Sequence, residues 1–163
     1  QKDKVPYFDF VKDGLITTTD GNSIDYDYIE KQILQDCTDF DVKMIAYDRY
    51  NSTHLIQKLT ESECTEMIPF NQTTTWFNAP IKELELLAHQ GRLNHANNKV
   101  LNWHCSNVVL IKDSNDNVKF DKAKSIEKID SMVSLAMALG IAIKDIEEKE
   151  EESIYNTRGL LEL

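Results

Sequence analysis

The stretch VKMIAYDRYNSTHLIQKLTESECTEMIPF, residues 42–70, decides the fold class. VKMIAYD (42–48) is a brief apolar run closed by an acid, the pattern of a buried strand. NSTHLIQKLTES (51–62) brings Leu55, Ile56 and Leu59 to one helical face. TEMIPF (65–70) is a second short apolar run, closed by Pro69. Strand, helix and strand in so short a span predict an α/β layered domain.

Upstream, LITTT (15–19) is rich in β-branched residues and predicts a further strand, followed by the turn signal Asp20-Gly21-Asn22. Ser23 is placed to cap a helix whose apolar side is Tyr26, Ile29, Ile33 and Leu34. Downstream, NQTTTWFN (71–78) is polar and predicts a loop, with Pro80 opening a helix that closes before Gly91. Asn97-Asn98 marks a turn, VLNWHCS predicts helix, and NVVLIKD predicts strand. SNDNVKFDK (114–122) predicts a hairpin turn followed by a loop. The segment from Ser125 predicts one long helix that buries Ile129, Met132, Val133, Ala136, Met137 and Leu139.

The 163 residues suit one core, read as a domain over 1–145 and an acidic tail over 146–163. The 41% hydrophobic and 28% charged residues argue against wholesale disorder. No apolar run has the length of a membrane span, and no signal peptide is visible. A first residue Gln1 rather than Met predicts a piece of something longer. Cys37, Cys64 and Cys105 form no C-x-x-C pair, so reduced thiols are expected rather than a zinc site or disulfide framework. The net charge of −10 disfavours a general nucleic-acid grip. It counts less against a metal nuclease, whose carboxylates are acidic until the cation arrives.

Asp48 ends an apolar strand, where α/β sheets place their sites, and could hold a cation or cap the next helix beside Asn51 and Ser52. Asp130 begins a helix with a wide apolar face. A metal or a basic partner would relieve its desolvation, whereas a solvated acid would suit the helix dipole. Hydrolysis by two metal ions needs several such oxygen ligands, drawn from separate elements. Lys122, Lys124 and Lys128 are candidates for DNA phosphate contacts, or a solvated loop. Trp76 in the Gln72–Trp76 stretch could line a substrate groove or, with Phe77, cover the core. His104 is read as structural, and His54, His89 and His95 as surface or helix residues. No P-loop or clustered glycines support a nucleotide-binding domain.

Three stretches, LITTTDGNSIDYDYI (15–29), VKMIAYDRYNSTHLIQKL (42–59) and 68–140, follow one another in an order and spacing that resembles the phage terminase large subunit, in its C-terminal nuclease domain. The ending SIYNTRGLLEL is similar to that family's finish. The resemblance implies an RNase H-like mixed sheet flanked by helices, and a metal-dependent endonuclease using Mg²⁺ or Mn²⁺ to cut concatemeric double-stranded DNA. It makes Asp48 and Asp130 metal ligands and catalytic residues. A further Asp, on the family's first strand, has no counterpart here, so that strand and the ATPase domain are expected to be missing from this chain. It further implies double-stranded DNA, the terminase ATPase domain and small subunit, and the procapsid portal as partners, in the host cytoplasm. An exposed sheet edge predicts a homo-oligomer or docking of the absent part. The other class of reading is an inactive fragment or an assembly module.

Overall fold

The structure is a computed structural model that describes residues 5–50 and 52–157, with backbone alone for 147, 148 and 150–157. The chain runs α1 (Tyr7–Lys12), α2 (Tyr26–Asp39), β1 (Met44–Tyr47), α3 (Thr53–Glu61), β2 (Glu66–Pro69), α4 (Thr74–His89), α5 (Lys99–Asn107), β3 (Leu110–Lys112), β4 (Val118–Phe120) and α6 (Asp130–Thr157). The strand–helix–strand unit expected from 42–70 is present. β1 and β2 pair in parallel with Tyr47 opposite Pro69, and the Phe70 N–H continues the ladder onto Tyr47 O at 2.8 Å.

The mixed sheet is in two pieces among the described residues. β1–β2 is parallel, β3–β4 is antiparallel, and the two pairs do not share a ladder. What joins them is side-chain packing. Phe70, Phe77, Ile81, Val118, Phe120, Ile129 just before α6 and the α6 residues Val133, Ala136, Met137 and Ile141 form one core, with Met44, Ala46 and Ile68 packed against it. Burying such side chains supplies the main driving force, each worth about 1.5–3 kcal/mol when fully enclosed.

Four expectations are corrected. LITTT is not a strand, because β-branched composition alone does not make one without a ladder partner. Asp25, not Ser23, caps α2, its carboxylate accepting from Tyr28 N at 2.9 Å. NVKF carries β4 where a loop was expected, and Val118 N donates to Asn78 Oδ1 on α4. α4 begins at Thr74, so Pro80 lies inside the helix rather than at its start. An interior proline removes one helical hydrogen bond and crowds the preceding turn. Here its ring is buried, with Gly140 of α6 opposite, and Trp76 and Phe77 ahead of it pack on Phe70 at centroid distances of 5.1 Å. Burial of the whole 74–84 face outweighs the local cost of the proline.

α6 runs without a break across residue 145, where the acidic tail was expected to begin, and reaches Thr157. The last part of the ending, 158–163, lies outside the described residues. Lys58 of α3 binds Asp27 at 2.7 Å and Glu30 at 2.8 Å, tying α3 to α2. The two carboxylates hold the Lys58 ammonium well above its ordinary range.

Candidate metal and DNA site

Asp48 is the first residue after β1, and Gln72 follows β2 by three positions. Parallel strands joined by a helix bring their carboxyl ends side by side, so these two loops meet. Asp48 Oδ2 accepts from Gln72 Nε2 at 2.7 Å, and Asp48 Oδ1 accepts from Tyr50 N at 3.1 Å. The Asp48 side chain therefore holds its own loop and faces the neighbouring one. Ser52 stands at the start of α3 without a side-chain cap bond, and its hydroxyl donates to Asp48 O. Among the described residues the Asp48 carboxylate makes no bond to α3.

Gln72 continues the connection. Its Oε1 accepts from Lys122 Nζ at 3.0 Å, and its Nε2 lies 3.9 Å from Met137 Sδ on α6. Met137 is two turns along from Asp130, about 10 Å of helix rise, and the spacing of seven puts both on one face. That face is buried at Val133 and Met137 and exposed at Asp130. Asp130 thus leaves the core at the first residue of α6, and its carboxylate has no hydrogen-bond or ion-pair partner among the described residues.

Two devices, one half-buried and one buried, fix where α6 begins. His104 Nδ1 accepts from Ser131 N at 3.2 Å and meets the Ser131 hydroxyl, so the imidazole caps the helix with its proton on Nε2. Burial pushes the His104 imidazole below its ordinary range, with the nearby Asp130 charge opposing the shift. Asn107, only 6% exposed, donates from Nδ2 to Lys128 O at 3.1 Å and accepts at its backbone oxygen from Ile126 N at 3.3 Å. It clamps the loop that delivers Asp130.

The three candidate lysines part company. Lys122 joins the Asp48–Gln72 chain. Lys124 sits 3.6 Å from Asp121, a carboxylate engaged with the 121–124 turn through Ala123 N and Lys124 N. Lys128 has an exposed ammonium without a partner among the described residues, two positions before Asp130. A cleft of about 300 Å³ runs past Gln72, Lys119, Phe120 and Lys122. The larger apolar cleft, about 400 Å³ between α4, α5 and α6, touches neither acid. Trp76 belongs to the core cover, edge-on to Phe70 with Lys144 Nζ 3.4 Å above its ring.

Carboxylate oxygens are the donors that Mg²⁺ and Mn²⁺ prefer. Asp48 uses one hydrogen bond on each oxygen and keeps lone pairs free, and Asp130 is unengaged. The donor type fits a hard cation. The donor number is short, since no group of three His, Cys, Asp or Glu converges among the described residues.

The family profile described as "Terminase large subunit, endonuclease domain" matches residues 1–146. The chain belongs to that family. It is similar to the large terminase subunit of Enterobacteria phage HK97, 31% identical over 148 residues, which cover 90% of this chain and 29% of that protein. It is also similar to Protein YmfN of Escherichia coli K12, 33% identical over 144 residues, covering 87% and 31%. The crystal structure of the HK97 large terminase superposes with a TM-score of 0.77 at 31% identity, over 85% of this chain and 29% of that one. The chain spans under a third of the length of these relatives. The mixed α/β arrangement of helices and small sheets is that of the terminase nuclease fold. No helix among the described residues is long and apolar enough to cross a membrane.

Asn107 and the bridging role of Gln72 were not read from the sequence. Gln72 had a usable signal, because it follows the parallel neighbour of the strand that Asp48 ends. Asn107 had none, since a polar residue closing a helix reads as solvated.

Proposed function

We propose that this chain is the RNase H-like nuclease part of a DNA-packaging terminase. It cuts concatemeric double-stranded DNA in the host cytoplasm by metal-dependent phosphodiester hydrolysis. The observation that carries the reading is that Asp48, half-buried at the carboxyl end of β1, is linked through Gln72 to the face of α6 that ends in Asp130. Asp48 and Asp130 would hold Mg²⁺ or Mn²⁺, with further oxygen ligands from outside the described residues. Bound there, a pair of such cations supplies an activated water and stabilises the attacking and leaving oxygens. This chain's part is to fix the two carboxylates and leave lone pairs open on both. Lys128 and Lys122 flank the acids and supply ammonium groups for backbone phosphate, compact charges that position DNA without reading its sequence.

Plasmid nicking in Mn²⁺ by the polypeptide that carries these residues tests this. Asp48→Asn and Asp130→Asn each remove one oxygen charge while keeping shape, and each is expected to reduce cleavage to background. Cleavage intact in both variants sinks the site assignment.

A second reading is an assembly module that meets the terminase ATPase domain, the small subunit, the portal or another copy without cutting. The lack of three converging metal-ligating side chains among the described residues and the −10 charge favour it. Mn²⁺ titration separates the two, since an assembly module binds no cation at Asp48 and Asp130.

A further inference from the structure

We infer that Gln72 is a positioning residue for Asp48, and that Lys122 acts on the Asp48 carboxylate through it. The inference rests on the reading of Asp48 as a metal ligand.

The geometry gives Gln72 a bridging task suited to an amide side chain. A glutamine amide offers donors at one end and an acceptor at the other. Here the donor end meets the Asp48 carboxylate at 2.7 Å, and the acceptor end meets the Lys122 ammonium at 3.0 Å. Reversing the amide would point oxygen at carboxylate and NH₂ at ammonium, two repulsive contacts. The orientation is therefore set by charge.

The carboxylate torsion of an aspartate is soft, with a broad rather than a three-well profile. Tyr50 N holds Oδ1 from the β1–α3 loop, and Gln72 holds Oδ2 from the β2–α4 loop. Two bonds from two segments fix the plane of the group. Gln72 is itself fixed by Lys122 from the β4–α6 loop and by Met137 of α6. Two segments thus meet at the carboxylate, and two more at the amide that holds it.

The indirect path matters chemically. An ammonium placed directly on Asp48 would occupy the lone pairs a cation needs. Passed through a neutral amide, the Lys122 charge polarises the Gln72 N–H toward the carboxylate and leaves those lone pairs open. Lys122 keeps two of its three N–H donors for other acceptors, beside the cleft it shares with Lys119. Groups that orient a metal's carboxylate in this way typically alter metal affinity about 10- to 100-fold when removed.

The test uses Mn²⁺ titration on four proteins: wild type, Gln72→Met, Lys122→Met and the double variant. Asp48→Asn serves as the reference for loss of the site. Gln72→Met is close in size, and thermal unfolding checks that it folds. The expected result is Mn²⁺ binding weakened about 10- to 100-fold by Gln72→Met. Lys122→Met, an exposed change, should weaken it several-fold alone and add nothing in the Gln72→Met background. A wild-type Kd for Gln72→Met, with binding lost in Asp48→Asn, overturns the positioning role and leaves the metal reading standing. Independent, multiplying effects of the two substitutions overturn the relay. Unchanged binding in Asp48→Asn overturns the metal reading, and the inference with it. A metal-free readout stands apart from all of these. The side-chain NH₂ resonances of Gln72 should move in both Asp48→Asn and Lys122→Met, and their constancy would refute the hydrogen-bonded chain.

Discussion

Gly140→Ala probes the closest approach between α6 and the rest of the core. A Cβ at that position would sit 2.8 Å from Phe70 Cε2, 3.3 Å from Pro80 Cγ and 3.4 Å from Phe70 Cζ. Carbon atoms at rest keep about 3.5–4.0 Å apart. Neither neighbour yields easily. Phe70 is 1% exposed and wedged between Trp76 and Phe77, and Pro80 is a closed ring inside α4. Adding a methyl to such a place costs about 1–3 kcal/mol. Alanine recovers about 1 kcal/mol over glycine through helix propensity. The balance is a loss of about 1 kcal/mol, or about 2–4 °C in Tm for a chain of this size. Thermal unfolding by circular dichroism reads it, with Ser134→Ala on the exposed side of α6 as the control that should shift little. A rise in Tm for Gly140→Ala would show that propensity wins, and that α6 does not lie this close. The substitution also reports on function, because α6 carries Asp130 and any lateral shift to clear Phe70 moves the acid relative to Asp48.

Three further outcomes follow from the same packing. Asn107→Ala orphans the Lys128 carbonyl beneath the loop before α6 and should cost about 1–3 kcal/mol in urea unfolding; an unchanged midpoint would mean the clamp is not there. His104 is held neutral by burial, so the unfolded chain takes up that proton first. In chelator-treated protein its contribution to stability should be flat above about pH 6.5 and decline as pH falls from there through the lower folded value. His104→Asn should remove that component of the decline, and an identical pH profile in the variant would contradict the capping role. Cys37 and Cys64 lie 3.4 Å apart, and burial pushes the Cys37 thiol up while Cys105 is exposed. Mass spectrometry after brief alkylation near pH 8 should find Cys105 modified first; early labelling of Cys37 would refute the half-buried pair.

The elements legible in the sequence are those whose burial follows a simple period. Leu55, Ile56 and Leu59 fixed α3, the run MIAY fixed β1, and the apolar series from Met132 to Met137 fixed the inner face of α6, whose start lies at Asp130 rather than Ser125. Elements set by tertiary contact were not legible. Trp76 and Phe77 read as loop because Pro80 reads as a helix start, and only the Phe70 packing shows why the helix begins earlier. LITTT has strand composition with no ladder to join. The separation of the parallel and antiparallel pairs is likewise invisible to local pattern, since side chains rather than hydrogen bonds connect them. At the site, Asp48 and Asp130 could be singled out by position and family resemblance. The amide between Asp48 and Lys122 could not, because it depends on which loops meet at the strand ends.

The central claim is that Asp48 and Asp130 serve one metal site. Crystals of the polypeptide that carries these residues, soaked in Mn²⁺ and measured at the manganese edge, test it most directly. The account predicts anomalous density within coordination distance of an Asp48 oxygen, with the Asp130 carboxylate ligating that ion or a second one beside it. Manganese bound elsewhere, with both carboxylates bare at saturating metal, would contradict it.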